Sequence, residues 1–404
     1  MNAIIADSKS RVLVRLYLTI KVMESAGIGW FFSTYTLFLL ERGLTPTQTT
    51  QVNMAFMMGN FFFDLPTGVL ADVLGHVPIY LVGAFVLSVG LFSYGLGSSY
   101  LYFMACEGIS SLGTGLMSEA LESLLTNTIG VEEARLVYSK EGVYARIATI
   151  PSAIIGSLIG AEYGLQYPWF LTGLTLLATF VFSSFTLRKY HVRRDANLIS
   201  PKHFALEFVA SMNTGMGAVF GNRKVVFALF LSLVLGASAQ GINMFWAPIL
   251  RSQAGSAWWL GFLWAGIALS MAFGSWLSKK FNASISVMGL ILASIATPVI
   301  LTNFVGATAW LTACLFVLHQ VGRGAMPVIV YAYINKYIPN QTRTTANCAM
   351  GSLDRCAKWF GLWFAGILAS NVPLLQTWLV IGIVLLVASI LAFLVGPFLE
   401  RRAN

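Results

Sequence analysis

Charged side chains are scarce in this chain. Asp, Glu, Lys and Arg together make up 10% of the 404 residues, whereas a soluble domain contains about 25%. Apolar residues make up 57%, and the mean hydropathy is +0.75. This composition excludes a soluble enzyme or binding domain, because too few polar groups are present to cover its surface. We therefore expect most of the chain to lie in a lipid bilayer.

Cysteine and histidine are scarce and scattered. No CxxC pair is present, and the cysteines fall inside apolar segments, at Cys106, Cys314, Cys348 and Cys356. This pattern excludes a disulfide framework and a Cys/His zinc site. Paired Asp-rich motifs and a His-Glu cluster on one helix are missing as well, so we expect no metal, no cofactor and no enzymatic activity.

Apolar stretches of about 20 residues, the length that crosses a bilayer as a helix, follow one another along the chain. They predict an all-α polytopic membrane protein with twelve transmembrane helices in two pseudo-symmetric six-helix bundles. The predicted spans are 13–40, 47–74, 77–97, 99–128, 136–161, 167–187, 223–251, 256–280, 284–304, 307–336, 342–370 and 374–397.

The bundles cover residues 1–187 and 223–404, and a cytoplasmic linker covers 188–222. Apolar residues in the linker suggest an amphipathic helix on the inner membrane surface, and a simple tether is the alternative. These residues are Phe204, Leu206, Phe208, Val209 and Met212.

Basic residues are unevenly divided between the predicted loops. With the N-terminus inside, the outer side keeps only Arg42 and Arg251, and the other basic residues of the loops and termini lie on the cytoplasmic side. The positive-inside rule then predicts a protein of the inner (cytoplasmic) membrane with both termini in the cytoplasm. The net charge of +9 follows from this topology and from contact with anionic membrane lipids. We see no module for nucleic-acid binding.

The two halves share short motifs at one spacing. Gly113-Thr-Gly115 in the fourth span recurs as Gly322-Arg-Gly324 in the tenth. Arg146 in the fifth span lies 209 positions before Arg355 in the eleventh. Transporter folds are often built from such repeats, so this pattern favours a parallel duplication.

A Gly-Asp-Gly pattern ends the second span and continues into the next loop, at Gly68, Asp72 and Gly75. It resembles the loop 2–3 signature of the major facilitator superfamily, G-x-x-x-D-[RK]-x-G-[RK]-[RK], although Val73, His76 and Val77 replace the basic positions. The segment 118–124 is similar to a helix 4 segment of prokaryotic drug and metabolite exporters of this superfamily. Arg343 resembles the group's arginine at the start of helix 11.

The resemblance implies alternating access, in which two six-helix bundles rock about a central cavity. It also implies a cytoplasmic gate formed by Gly68, Asp72, Gly75 and Arg343, in which Asp72 holds the start of helix 11. Without the basic residues of the signature, we expect this latch to be looser.

Ionisable residues inside the predicted spans are informative, because each costs roughly 2.5–3.5 kcal/mol to insert. The first half is mostly acidic, with Lys21, Glu24, Asp64, Glu107, Glu119, Glu122 and Arg146. The second half is mostly basic, with His319, Arg323, Asp354, Arg355 and Lys358.

Glu24 and Asp64 are the predicted proton carriers. Glu24 lies near the middle of the first span, which lines the cavity in this fold, although Lys21 three residues earlier can neutralise it. Asp64 precedes Pro66, which frees a backbone carbonyl group. Glu107 lies in the outer half and has no partner evident from the sequence.

Other intramembrane charges are predicted to form structural pairs: Glu119, Glu122, Arg146, Asp354 and Arg355. Arg146 or Lys140 is the expected partner of the two glutamates. Asp354 and Lys358 are four residues apart and can pair on one helix face.

Arg323 is the best candidate to hold an anionic substrate group, because a guanidinium binds a carboxylate through two parallel hydrogen bonds. The alternative is that Arg323 pairs with an acid from another helix and only locks the halves together. Further predicted substrate contacts are His319, Trp30, Tyr35, Asn243, Trp246, Lys358 and Trp359.

These features together predict a secondary transporter that exports an amphipathic or carboxylate-bearing small molecule, such as a drug or a siderophore-like metabolite, in exchange for protons. Import of an organic anion with protons uses the same residues and stays open, as does a non-transporting receptor with this fold. The expected partners are the small-molecule substrate, protons and membrane lipids, and the expected state is a monomer.

Overall fold

The structure is a computed structural model that describes residues 8–190, 210, 213–305, 308–339 and 342–401. The secondary structure in these ranges is helical, which confirms the predicted all-α class. The predicted amphipathic linker helix covers 200–217, and the apolar residues on which it rests, Phe204, Leu206, Phe208, Val209 and Met212, lie outside the described residues.

We number thirteen α-helices in the described part of the chain. They are α1 Ser8–Phe32, α2 Tyr35–Glu41, α3 Pro46–Leu74, α4 His76–Tyr94, α5 Tyr100–Ile129, α6 Val131–Tyr163, α7 Tyr167–Thr186, α8 Arg223–Ala254, α9 Leu260–Leu277, α10 Ile285–Leu301, α11 Ala309–Tyr337, α12 Arg343–Asn371 and α13 Leu374–Arg401. Short 3₁₀ turns follow α7 at Arg188–Tyr190 and α9 at Ser278–Lys280. A further short helical segment covers 213–220.

The first predicted span is not one continuous helix. Its two pieces, α1 and α2, are separated by Ser33 and Thr34. The Ser33 hydroxyl donates to the carbonyl of Ala153 (3.4 Å), and the Thr34 hydroxyl donates to that of Phe31 (3.3 Å). Hydroxyl side chains that bond backbone groups compete with the helix ladder. The expectation of an unbroken helix over 13–40 was therefore wrong, and each of the other eleven spans corresponds to one helix.

Seven of the described helices are long and apolar enough to cross a membrane by length and composition: α4, α6, α7, α8, α9, α11 and α13. The helix α10 is apolar but shorter. The remaining long helices, α1, α3, α5 and α12, contain more polar residues, and they carry most of the intramembrane charges.

The chain divides into two compact units. Unit 1 comprises Met1–Leu198 with Ser256–Ala265, and unit 2 comprises Ile199–Gly255 with Gly266–Asn404. The start of α9 belongs to unit 1 because Ser157 of α6 binds it: the Ser157 hydroxyl donates to the carbonyl of Trp258 (3.0 Å) and accepts from the amide of Gly261 (3.1 Å). The bundle boundaries inferred from the sequence stay a prediction.

The first glycine of each Gly-x-Gly motif allows a close helix contact within its own unit. A Cβ atom at Gly113 would lie 2.6 Å from the amide nitrogen of Leu87 on α4. At Gly322 it would lie 2.5 Å from the side chain of Ile295 on α10. A larger residue at Gly113 would require a shift of the α4 backbone, and one at Gly322 would require a shift of the Ile295 side chain.

The second glycine of each motif accepts a hydrogen bond from a hydroxyl side chain. In unit 1 the Thr67 hydroxyl on α3 donates to the carbonyl of Gly115 (3.1 Å). In unit 2 the Ser275 hydroxyl on α9 donates to the carbonyl of Gly324 (2.8 Å). These matched contacts support the duplication that the sequence repeats suggested.

Candidate functional site

Unit 2 holds a guanidinium group between neutral partners. Nη1 of Arg323, on α11, donates to Oδ1 of Asn243 on α8 (2.7 Å) and to Oε1 of Gln320 (3.0 Å). Among the side chains that the structure describes, no carboxylate lies within ion-pair distance of Arg323. The two amides orient the guanidinium but leave its charge unbalanced.

A cluster of aromatic rings begins one turn before this arginine on α11. His319 precedes Arg323 by one turn, is fully buried, and has no hydrogen-bond partner for either ring nitrogen within the described ranges. Its ring centroid is 5.0 Å from that of Phe316. Phe316 stacks in turn on Trp246 (5.5 Å) and Trp378 (5.4 Å). Arg323 therefore stands at the edge of a buried aromatic surface.

The positive charge of Lys358 is balanced locally. Its Nζ lies 2.6 Å from the carboxylate of Asp354 on the same helix, α12, and both side chains are about one-third exposed. Trp359 packs edge-on against Phe360 at 5.7 Å, and Arg355 is exposed. The predicted roles of these residues in substrate binding or charge pairing stay predictions.

In unit 1, Glu24 has a cationic and a phenolic partner. The Tyr80 hydroxyl on α4 donates to Oε1 of Glu24 (2.6 Å), and Nζ of Lys21 lies 3.4 Å from Oε2. Glu24 is 8% exposed. Asp64 belongs to α3, but its side chain is not among those that the structure describes. The assignment of Glu24 and Asp64 as proton carriers stays a prediction.

Glu107 has two partners that the sequence did not indicate. The hydroxyls of Tyr35 on α2 (2.8 Å) and Tyr94 on α4 (3.0 Å) both donate to Oε1 of this buried carboxyl group. Spacing along one helix could not have revealed them, because the tyrosines come from two other helices. Trp30, another predicted substrate contact, donates from Nε1 to the Thr175 hydroxyl (3.1 Å).

The charge pairs expected between α5 and α6, which join Glu119 and Glu122 to Arg146 or Lys140, stay predictions. Arg146 is exposed, with no described carboxylate within ion-pair distance, and the side chain of Glu119 is not described. The Tyr138 hydroxyl donates to the backbone carbonyl of Glu122 (3.0 Å). A contact that the sequence analysis missed lies nearby: the Tyr17 hydroxyl donates to the carboxylate of Glu141.

The predicted gate residues lie at helix ends. Gly75 joins α3 to α4 with φ of 95°, a conformation that favours glycine and accounts for this position of the motif. Gly68 and Asp72 lie in the last turns of α3, and the side chain of Asp72 is not described. Arg343 begins α12 in unit 2 and donates from Nη2 to the carbonyl of Asn335 (3.1 Å).

The structure therefore brings four predicted substrate residues into one cluster in unit 2: Arg323, Asn243, His319 and Trp246. Trp30 and Tyr35 lie in unit 1, and Lys358 and Trp359 lie on α12. Within the described residues, no group of three His, Cys, Asp or Glu side chains is placed to hold a metal ion.

A family model described as Major Facilitator Superfamily matches residues 18–355. The chain belongs to this superfamily. It is accordingly a multi-pass protein of the bacterial inner membrane and a secondary transporter. Because the family consists of transporters, the expectation that this facilitator is not an enzyme is confirmed.

Two proteins of similar sequence fit this assignment. The uncharacterized MFS-type transporter YxaM of Bacillus subtilis (strain 168) is 20% identical over 93% of this chain and 94% of its own length. The quinolone resistance protein NorA of Staphylococcus aureus (strain MRSA252) is 23% identical over 39% of this chain and 40% of its own length.

Solved structures share the fold. A bacterial homolog of the human lysosomal transporter Spinster, in an inward-facing and unoccupied conformation, has a TM-score of 0.76 at 14% identity, with 98% of each chain covered. The nucleoside transporter NupG has a TM-score of 0.73 at 14% identity, with 95% of this chain and 99% of its own chain covered.

Proposed function

We propose that this facilitator exports an amphipathic, carboxylate-bearing small molecule, such as a drug or a metabolite, in exchange for protons. The observation that carries the proposal is the arginine of α11. The charge of Arg323 is oriented by two amides and balanced by no described carboxylate.

A charge held inside a membrane protein without a counter-ion is costly and usually marks a ligand or ion pathway. The predicted alternative was that Arg323 pairs with an acid and only locks helices together. The neutral partners Asn243 and Gln320 favour binding, because they fix the guanidinium while leaving it able to attract an anion. A substrate carboxylate supplies that anion through charge-assisted hydrogen bonds.

The aromatic surface next to the arginine suits the apolar part of such a substrate. Phe316, two turns before Arg323 on α11, stacks face to face on Trp246, which lies one turn after Asn243 on α8. Pockets for small molecules are lined mainly by aromatic and apolar groups with few polar ones. We include Trp30, Tyr35, Lys358 and Trp359 as further substrate contacts on the sequence pattern alone.

Proton exchange is assigned to the acidic groups of unit 1. Glu24 and Asp64 are the proposed carriers, and Tyr80 and Lys21 hold Glu24 in place. The direction of export is supported by the similarity to a quinolone resistance protein. Transport then proceeds by alternating access of the bundles 1–187 and 223–404, in a monomer with both termini in the cytoplasm.

The gate is proposed on the loop 2–3 pattern. In the facilitator pattern that Asp72 matches, the carboxylate holds the start of the helix that Arg343 begins. Gly68 is the first glycine of this pattern, and Gly75 permits the turn between α3 and α4. Because the basic residues of the motif are replaced at Val73 and His76, this latch is expected to be weaker than in facilitators that keep them.

Transport in proteoliposomes with an imposed pH gradient tests the exchange. The fluoroquinolone ciprofloxacin is the probe, because it joins a carboxylate to a planar aromatic system. We expect its flux to be driven against the direction of proton flow. Flux in the same direction as protons would establish import instead, and flux that ignores the gradient would refute proton coupling.

Substitution of the arginine tests the binding role. We expect Arg323→Gln to weaken binding of ciprofloxacin roughly 10- to 100-fold, since a charge-assisted hydrogen bond contributes about 1.5–3 kcal/mol. The affinity of Arg323→Lys should lie between those of the wild-type protein and Arg323→Gln, because lysine keeps the charge but not the two parallel donors of a guanidinium. The methyl ester of the probe is the matched control. The ratio of the dissociation constants for the acid and for the ester is compared between the variant and the wild-type protein. If the two proteins give the same ratio, the proposed role of Arg323 is wrong.

A further inference from the structure

Glu107 occupies a position that the fold fills with an aromatic ring in the other unit. At the repeat spacing of 209 positions, Glu107 corresponds to Phe316, and Trp169 corresponds to Trp378. In unit 2, Phe316 stacks directly on Trp378 (5.4 Å, 11°). In unit 1, Tyr94 takes that place on Trp169 (4.0 Å, 13°). Packing at this position therefore does not require a carboxyl group.

The surroundings of Glu107 balance no charge. The side chain is buried, with the residue 5% exposed, and accepts hydrogen bonds from Tyr35 and Tyr94. The titratable groups that face it are Tyr35 from α2, Tyr94 from α4 and Cys106 beside it on α5. Among the described side chains of α1, α3, α6 and α7, no Lys, Arg, Asp or Glu faces it.

A buried carboxyl group without a cation is the costly arrangement for an intramembrane acid, and such groups mark ion or proton pathways. Glu24 differs in this respect, because Lys21 lies 3.4 Å from its carboxylate. Glu107 can therefore change its charge without leaving an opposite charge unbalanced. A proton is the counter-ion that fits this buried carboxyl group with its two hydroxyl donors.

The two tyrosines connect this carboxyl group to helix ends. Tyr35 is the first residue of α2, directly after the break at Ser33 and Thr34, and Tyr94 is the last residue of α4. A carboxylate accepts both hydroxyl groups in charge-assisted bonds, which are roughly twice as strong as neutral ones. A protonated carboxyl group is itself a donor and holds them less tightly.

We propose that Glu107 is a proton-binding site whose protonation loosens the ends of α2 and α4 from α5. The step is a simple proton transfer: the carboxylate takes one proton from hydronium, which becomes water, and it returns the proton to water in the reverse step. The inference rests on the proposed proton coupling and adds a third acidic residue to Glu24 and Asp64.

Infrared difference spectroscopy tests the protonation directly, without a substrate. On acidification of the reconstituted wild-type protein we expect a carboxylic-acid C=O band that Glu107→Gln removes. Glu162→Gln, at an exposed glutamate of α6, is the matched control and should keep the band. Tyr94→Phe should shift the frequency of the band, because it removes one hydroxyl donor and leaves the carboxyl group in place.

Transport of ciprofloxacin under a pH gradient is the second measurement. We expect Glu107→Gln to lose the stimulation by the gradient, while Glu162→Gln retains it. A Glu107→Gln protein with the wild-type infrared titration would overturn the proposal, and so would a Tyr94→Phe protein with an unshifted band. If wild-type flux ignores the gradient, the proposed exchange fails, and the infrared titration still decides whether Glu107 binds a proton.

Discussion

Units 1 and 2 share a framework of helix contacts and differ in the charges that they hold within it. Where unit 1 has Glu107, unit 2 has Phe316, and where unit 2 has Arg323, unit 1 has Thr114 at the same spacing. The Thr114 hydroxyl bonds the carbonyl of Ser110 in its own helix (2.8 Å). The comparison teaches that the repeated glycines and hydroxyl groups serve packing, whereas the unmatched charged groups are candidates for transport.

Two intrahelical ion pairs of the described residues, one in each unit, give the sharpest difference between the units. Lys21 and Glu24 in unit 1 have side chains that are 12% and 11% exposed, whereas Lys358 and Asp354 in unit 2 are 37% and 34% exposed. Removal of one partner from a buried pair costs about 3–5 kcal/mol. An exposed i,i+4 pair on a helix contributes only about 0.3–0.5 kcal/mol.

We therefore expect Lys21→Met to lower the thermal unfolding midpoint strongly and Lys358→Met to change it little. The measurement is thermal unfolding of the purified variants in one detergent. The double variant Lys21→Met/Glu24→Gln should recover most of the loss, because it removes both charges of the pair. Equal midpoints for the two lysine variants would show that burial does not separate the pairs.

The second glycine of the repeated motif provides the next comparison. A Cβ atom at Gly324 would lie 2.0 Å from the carbonyl oxygen of Met271, whereas at Gly115 it would lie 3.4 Å from Phe63, an ordinary contact. Forcing a methyl group into a packed contact costs about 1–3 kcal/mol. Alanine in an open helical site instead gains up to about 1 kcal/mol over glycine.

Gly324→Ala should consequently lower the unfolding midpoint, and Gly115→Ala should leave it unchanged or raise it. The same thermal assay measures both. If the two alanine variants have the same unfolding midpoint, α9 and α11 have room for a methyl group at Gly324, and the two units do not differ at this position.

The sequence predicted the fold well because the hydropathy pattern that indicates the spans extends over hundreds of residues. Apolar stretches placed eleven of the spans, and the Gly-x-Gly spacing indicated the duplication. The break after Phe32 was missed because hydropathy does not register two hydroxyl residues within an apolar run. What ends α1 is the set of hydrogen bonds made by Ser33 and Thr34, including one to Ala153 on another helix.

The partner of a charged side chain was predictable only where both residues share one helix. The spacing of Asp354 and Lys358 indicated their contact, and so did that of Lys21 and Glu24. The tyrosine partners of Glu107 come from other helices, so no local pattern shows them. The repeat contained a usable signal for that site: a carboxyl group in one half stands where the other half has phenylalanine.

The smallest expected difference concerns the hydroxyl groups that bind the motif carbonyls. Within the described residues, the Ser275 hydroxyl donates only to the carbonyl of Gly324, whereas the Thr67 hydroxyl lies 2.7 Å from the carbonyl of Phe63 in its own helix as well as 3.1 Å from that of Gly115. An interhelical side-chain hydrogen bond in a membrane protein contributes about 0.6 kcal/mol on average. Ser275→Ala should lose about that amount, and Thr67→Val should lose less, because its hydroxyl divides between two acceptors. Thermal unfolding of both variants and of the double variant measures the effects, and an equal or larger loss for Thr67→Val would show that the bond between α3 and α5 is not the weaker of the two.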